Sequence, residues 1–304
     1  MNDFGQSGTR GPLPFSKMAG GGNDFVMIDN RAGLVSDASA LTQRICTRRL
    51  SVGGDGLILI EPSQRATFRM IYFNSDGSRA DFCANGTRCS ARFAAINAIA
   101  PERMTIETDM GIIGAEVAAD GLVTLALPSP RAFKAMRPLP MDGGTVRGSS
   151  ILVGVPHYVL FVTDDLWARD VMELGRAIRL HPELRTDGGA NANFVRVRDE
   201  HHIEVRTYER GVENETLSCG SGVVASVSVS ALFDRVKSPV TVLTRSGIRF
   251  NVAFTRDGDE VRDLRLTGDA RVVYRATLTP DTIEGFDPQF VRDPGAAAEV
   301  VAGE

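Results

Sequence analysis

The stretch IYFNSDGSRADFCANGTRCSARFAA (residues 71–95) returns 136 positions later as TYERGVENETLSCGSGVVASVSVSA (207–231). Tyr72 lines up with Tyr208, Cys83 with Cys219 and Gly86 with Gly222. The register persists where MTIETDMGII (104–113) faces VTVLTRSGIR (240–249), matching Thr105, Thr108, Gly111 and Ile112 to Thr241, Thr244, Gly247 and Ile248. A repeat of this length is too long for a solenoid unit and reads as a whole domain duplicated, each copy large enough for its own core.

Each copy has the same coarse plan. LILIE (57–61) and FRMIYF (68–73) are apolar and β-branched enough for strands, and an Asp76-Gly77 turn precedes a cysteine-led helix that should stop before Pro101. Hairpins follow, with turns at Asp120-Gly121 in the first copy and Asp257-Gly258 in the second. The expected fold class is α/β (α+β): two pseudo-symmetric duplicated domains, each a mixed, mostly antiparallel curved sheet around a central buried helix. Residues 1–14 and most of 285–304 are Gly-, Pro- and polar-rich and read as flexible tails. The expected division is 15–130 plus about 268–284 for the first domain and 131–267 for the second.

A chain of 304 residues, 43% hydrophobic and 24% charged, has the make-up of an ordinary globular protein with a sizeable core. The net charge of −4 and singly scattered arginines give no basic stripe, which argues against a nucleic-acid partner. The N-terminus lacks an apolar leader segment and no long apolar run occurs, so no membrane association and a cytoplasmic location are expected. The four cysteines and four histidines (157, 181, 201, 202) show no metal-ligand spacing, so neither a metal site nor a disulfide framework is expected.

Both Cys83 and Cys219 stand at the mouth of a helix, flanked by small residues. A helix start carries unpaired N–H groups and partial positive charge, so a thiol there is expected to be pushed towards thiolate. Duplication predicts a two-fold arrangement that brings the two thiols to opposite sides of one cleft. One thiolate can then remove a proton from a carbon while the other thiol protonates the opposite face, which inverts a stereocentre. The N–H groups around Ala84-Asn85 and Gly220-Ser221 would hold charge developing on an adjacent carboxylate. Cys46 and Cys89 lack this setting and read as small core residues.

Five segments carry a family resemblance: KMAGGGNDFVMID (17–29), FNSDGSRADFCANGTRC (73–89), VPHYV (155–159), ANANF (190–194) and YERGVENETLSCGSG (208–222). Together they resemble the diaminopimelate epimerase family over about residues 15–280. The resemblance implies a cofactor-independent isomerase that interconverts LL- and meso-diaminopimelate in lysine and peptidoglycan precursor synthesis, and a homodimer. It implies Cys83 and Cys219 as the acid/base pair, with His157 and Glu209 tuning the thiols. Substrate would be surrounded by Asn23, Asn74, Ala84, Asn85, Asn191, Glu209, Arg210, Gly220 and Ser221. Arg210 for a carboxylate and Glu209 for an ammonium suit the second amino-acid group at the far end of that substrate.

Departures from the commoner pattern are Val155 in place of an Asn, Ala84 in place of a Gly, Gly56 where some members carry a Gln, and one extra residue near Glu213-Asn214. Rival readings are a proline or hydroxyproline racemase-like two-thiol enzyme, a phenazine-biosynthesis-like relative without thiol chemistry, and a non-catalytic binding module. The first leaves Glu209 and Arg210 nothing to hold, and the presence of both thiols argues against the others.

Overall fold

A computed structural model describes residues 12–284, 286 and 287. The first half of the chain forms β1 (Leu13–Gly20), β2 (Asn23–Asp29), α1 (Ala38–Ile45), β3 (Gly56–Glu61), β4 (Phe68–Asn74), β5 (Arg79–Ala80), α2 (Ala84–Ile96), β6 (Arg103–Thr108), β7 (Gly111–Val117) and β8 (Val123–Leu127). The second forms β9 (Arg131–Met141), β10 (Gly144–Val153), β11 (Val155–Phe161), α3 (Met172–Leu180), β12 (Asn191–Asp199), β13 (His202–Glu209), β14 (Asn214–Thr216), α4 (Gly220–Leu232), β15 (Val240–Thr244), β16 (Arg249–Asp257) and β17 (Glu260–Gly268). Strand β18 (Arg271–Leu278) and the short α5 (Pro280–Ile283) follow.

All strands among the described residues belong to one continuous sheet. Read across, its order is β18-β1-β2-β3-β4-β6-β7-β8 and then β17-β16-β15-β13-β12-β11-β10-β9, with β5 and β14 beside β4 and β13. The two series mirror each other about the β8–β17 junction, where the Thr124 and Thr267 hydroxyls meet at 2.7 Å. Parallel pairs occur only at β2–β3, β4–β6, β11–β12 and β13–β15 among the described strands, and each spans a crossover that contains a helix. The last long strand, β18, pairs with β1 and so belongs to the first half of the sheet.

Helices α2 and α4 each occupy 13 residues and start at the same 136-residue offset as the repeat. Each lies inside its half of the curved sheet. Helix α2 packs on β1 to β4 and β6 to β8, and α4 on β10 to β13, β16 and β17. Residues 223–231 of α4, VVASVSVSA, alternate like a strand and are weak helix formers, yet they are buried throughout. Tertiary burial decides here, and the Ser228 and Ser230 hydroxyls donate to carbonyls one turn back, so those two serines enter the core paired. Helix α2 ends at Ile96, with Ala98 in a left-handed conformation (φ 54°) before Pro101. The Asp120-Gly121 and Asp257-Gly258 turns join β7 to β8 and β16 to β17.

On the outer faces, α1 covers Leu13, Ile28, Leu57 and Leu59, and α3 covers Tyr158, Phe194 and Tyr208. Leu13 is buried and pairs with Leu278, so β1 starts two residues inside the stretch read as an N-terminal tail. The remainder of that tail, residues 1–11, and most of the C-terminal one (285 and 288–304) lie outside the described residues. No helix among the described residues is long and apolar enough to cross a membrane.

Candidate active site

Cys83 and Cys219 are the N-cap residues of α2 and α4, both with extended backbone (φ −143° and −118°). The two helix starts face each other. A Cβ built on Gly220 would lie 2.7 Å from the Ala84 methyl group and 3.6 Å from Asn85 Oδ1, so only glycine fits at position 220 without displacement. The junction therefore needs Gly220 for close approach as well as for its N–H. Gly222 is crowded in the same way, its virtual Cβ falling 2.4 Å from Asn193 Oδ1.

The thiols do not have the acidity that a helix start alone predicts. Gly86 N–H donates to Cys83 Sγ at 3.4 Å, and the Asn85 N–H and the charge of Arg88 also favour the thiolate. Burial acts more strongly in the opposite direction, Glu209 adds to it, and Cys83 is pushed up to about 11. Cys219 is pushed up further, by burial first and then by Glu209, although Ser221 Oγ lies 3.4 Å from its sulfur. Removal from water outweighs the helix-start hydrogen bonds, so both thiols are protonated at neutral pH. Cys46 and Cys89 are buried and each is pushed up to about 12 by burial, in keeping with a core role.

Glu209 ends β13 and its carboxyl faces Cys219 and Thr216. Burial raises its pKa, and the neighbouring Thr216 and Cys219 side chains act in the opposite direction. It is thus placed to exchange a proton with Cys219. His157 was implied as the second tuning group, but its contacts run elsewhere. Asn193 Nδ2 lies 3.1 Å from His157 Nδ1, and burial followed by the nearby Arg210 charge pushes the imidazole down to about 3, so it is neutral at pH 7. With Asn193 as donor, the ring proton rests on Nε2, a buried nitrogen without a hydrogen-bond partner among the described residues.

The remaining residues fall into two groups. At the junction, Asn85 Nδ2 donates to Asn23 Oδ1 at 2.8 Å and approaches Ser218 Oγ at 3.4 Å, while Asn23 Nδ2 donates to Asp55 at 2.8 Å. Across the ends of β11, β12 and β13, Asn191 Oδ1 accepts the Arg210 N–H at 2.7 Å, and Arg210 Nη1 reaches the Gly189 carbonyl at 3.4 Å. Asn74 faces Gly56 across β3 and β4, and its amide donates to Ser78 Oγ at 3.0 Å in the turn after β4. At Gly56 a Cβ would fall 2.1 Å from the Phe73 carbonyl, so a glutamine there would require the backbone to shift.

Sequence reasoning passed over Asn193, Ser218 and Asp55. Asn193 links His157 to the Thr207 hydroxyl (3.0 Å), and its spacing of two from Asn191 on one strand was the available signal. Ser218 donates to the Gly21 carbonyl and ties the second half to the β1–β2 turn. A hollow lined by Lys134, Arg137, Ser150, Pro156 and Leu184 opens beside β9 to β11 and holds neither thiol.

The family model for diaminopimelate epimerase matches residues 15–130 and 149–273. The chain belongs to the diaminopimelate epimerase family. It is 40% identical to diaminopimelate epimerase of Aquifex aeolicus over 283 residues, covering 90% of this chain and all of that one. Identity to the Archaeoglobus fulgidus diaminopimelate epimerase is 37%, covering 88% and 96% of the two chains. Two solved structures share the fold at low identity. A Bacillus anthracis phenazine biosynthesis protein of the PhzF family aligns at TM-score 0.67 and 17% identity, covering 89% of this chain and all of that one. A hydroxyproline epimerase from Agrobacterium vitis aligns at TM-score 0.64 and 16% identity, covering 89% and 93%. Family membership is thus carried by the first two relatives, and the second pair adds the architecture: duplicated halves of a mixed α/β fold.

Proposed function

We propose that the chain interconverts LL- and meso-diaminopimelate by proton transfer between Cys83, the substrate α-carbon and Cys219, without a cofactor. The observation that carries this reading is the meeting of two helix starts, each capped by a thiol, across the Ala84–Gly220 contact. In this mechanism Glu209 takes the Cys219 proton, the resulting thiolate removes the α-proton, and the Cys83 thiol protonates the opposite face; the reverse direction runs the steps backwards. Backbone N–H groups at Ala84-Asn85 and Gly220-Ser221 hold the carboxylate on which negative charge spreads as the α-carbon loses its proton. Arg210 takes the distal carboxylate, ordered by Asn191, while the Asn23 and Asn85 amides complete the polar lining.

The same reading makes the chain a cytoplasmic homodimer that serves lysine and peptidoglycan precursor synthesis. The experiment is incubation of reduced protein with LL-diaminopimelate in deuterium oxide, with L-proline and trans-4-hydroxy-L-proline in parallel. Inversion with α-deuterium on diaminopimelate alone is the expected result. Exchange on a proline substrate instead would keep the two-thiol chemistry and overturn the substrate.

A further inference from the structure

Among the described residues, Arg88 is the bulkiest side chain to be wholly buried, at 0% exposure. Taking a guanidinium out of water is costly unless its donors are engaged, so its contacts need a reason. Nη2 donates to Asn85 Oδ1 at 2.6 Å, Nη1 approaches the Ala84 carbonyl at 3.4 Å, and Nε donates to the Asp269 carbonyl at 3.1 Å. The guanidinium carbon lies 5.0 Å from the centre of the Phe250 ring. No carboxylate lies within 4.0 Å of Arg88 in any ion pair among the described residues; the Asp269 carboxylate is turned to the Gly21 N–H (2.8 Å) and to Arg271 (2.9 Å). The charge is met by two backbone carbonyls, one amide oxygen and one aromatic face.

That amide oxygen belongs to Asn85, one residue inside the helix from Ala84 and two from Cys83. An amide has one accepting and one donating end, and a cation on the oxygen decides which faces where. With Oδ1 held by Arg88, Nδ2 must point at Asn23 Oδ1 and Ser218 Oγ, the first from the start of β2 and the second from the residue before Cys219. Asp269 and Phe250 come from the second half of the chain, so the same guanidinium ties the first turn of α2 to the opposite half of the sheet.

We propose that Arg88, seated on Phe250, is a positioning residue for proton transfer: it fixes the Asn85 amide and, through it, the register of the Cys83 helix start against the Cys219 helix start. A lysine preserves the charge but cannot span Asn85 Oδ1 and the Asp269 carbonyl with a planar fork, so Arg88→Lys should misplace the junction without removing any group that touches substrate. The inference rests on the two-thiol reading above.

The test is a double-variant cycle on epimerase kinetics with Arg88→Lys, Asn85→Ala and the pair. The expected result for Arg88→Lys is a fall in kcat of about a hundredfold, the size that a displacement near 1 Å produces, with KM little changed. The pair should be no slower than Asn85→Ala alone, since Arg88 acts through Asn85. Losses that multiply, or wild-type kcat in either single variant, overturn the proposal. Where circular dichroism shows that Arg88→Lys does not fold, Phe250→Leu carries the test, with an expected loss of about tenfold in kcat that disappears in the Asn85→Ala background; unchanged kcat overturns it. Failure of the wild-type protein to exchange the α-proton of diaminopimelate in the same assay sinks the two-thiol reading itself, which separates the two failures.

Discussion

The Ala84 methyl group fills the space that a side chain on Gly220 would occupy, with 2.7 Å between it and a Cβ built there. A methyl at position 220 must push the two helix starts apart. Gly220→Ala should therefore destabilise by about 1–3 kcal/mol as an overpacked core position and lower kcat as well. Ala84→Gly removes the conflict and should leave kcat near wild type. Thermal melts and steady-state rates check both, and an unshifted melt for Gly220→Ala contradicts the contact.

Removal of either capping thiol should end catalysis. Cys83→Ala and Cys219→Ala are expected to lose about 10²–10⁴-fold or more, the size of a general acid/base contribution. The serine variants should lose most activity too, because a hydroxyl is a far weaker base at neutral pH. Cys89→Ala, a core position on the same helix as Cys83, should stay active. Near-normal turnover in either thiol-to-alanine variant would falsify the mechanism.

Glu209→Gln should move two measurements in opposite senses. Glu209 raises the pKa of Cys219 through its charge, so its neutral amide should let the Cys219 thiolate appear at lower pH, seen by ultraviolet titration against Cys219→Ala. Turnover should nevertheless fall about a hundredfold, because the group that accepts the Cys219 proton is gone. Parallel gains in thiolate and in rate would assign Glu209 a merely inhibitory charge.

His157 gives a pH signature in stability. Its folded pKa is pushed down to about 3 from an ordinary 6.5, so the unfolded chain binds a proton first as pH falls. Its contribution is whole above pH 6.5 and is lost as pH drops towards 3. His157→Gln should accordingly show a flatter melting temperature across that window than the wild type, and an unchanged slope contradicts the neutral buried imidazole.

Val155 begins β11 on the same strand face as His157, where the family's commoner residue is an asparagine. A new amide that meets a carboxylate gains about 1.5–3 kcal/mol, so Val155→Asn should lower KM for diaminopimelate by about tenfold with kcat little changed. A KM that does not move means that the distal carboxylate lies out of reach of position 155.

The duplication, the two long buried helices and the thiols that cap them were legible because each left a local mark: a fixed offset, a cysteine before small residues, a proline past the helix end. The acidity of those thiols was not legible. It is set by how much water the folded chain removes from the junction, and burial there depends on strands far away in sequence. Asn193 was hidden for a related reason, since its partners Thr207 and Gly222 lie on β13 and α4, and only the sheet brings them together. Leu13 was misplaced into a tail because its only mark as a strand residue is its partner Leu278, at the other end of the chain.

That pairing of β1 with β18 also bears on the order of assembly at the ribosome. All the strands of the second half, β9 to β17, are encoded without interruption, whereas the first half keeps an open edge at β1 until residues 271–278 have emerged. The later-made half is thus the one that can complete its sheet first, the reverse of the usual amino-terminal precedence during synthesis. Until then the nascent chain carries the unpaired backbone of β1, and a chain stopped short of residue 271 would keep that edge open for pairing with another molecule.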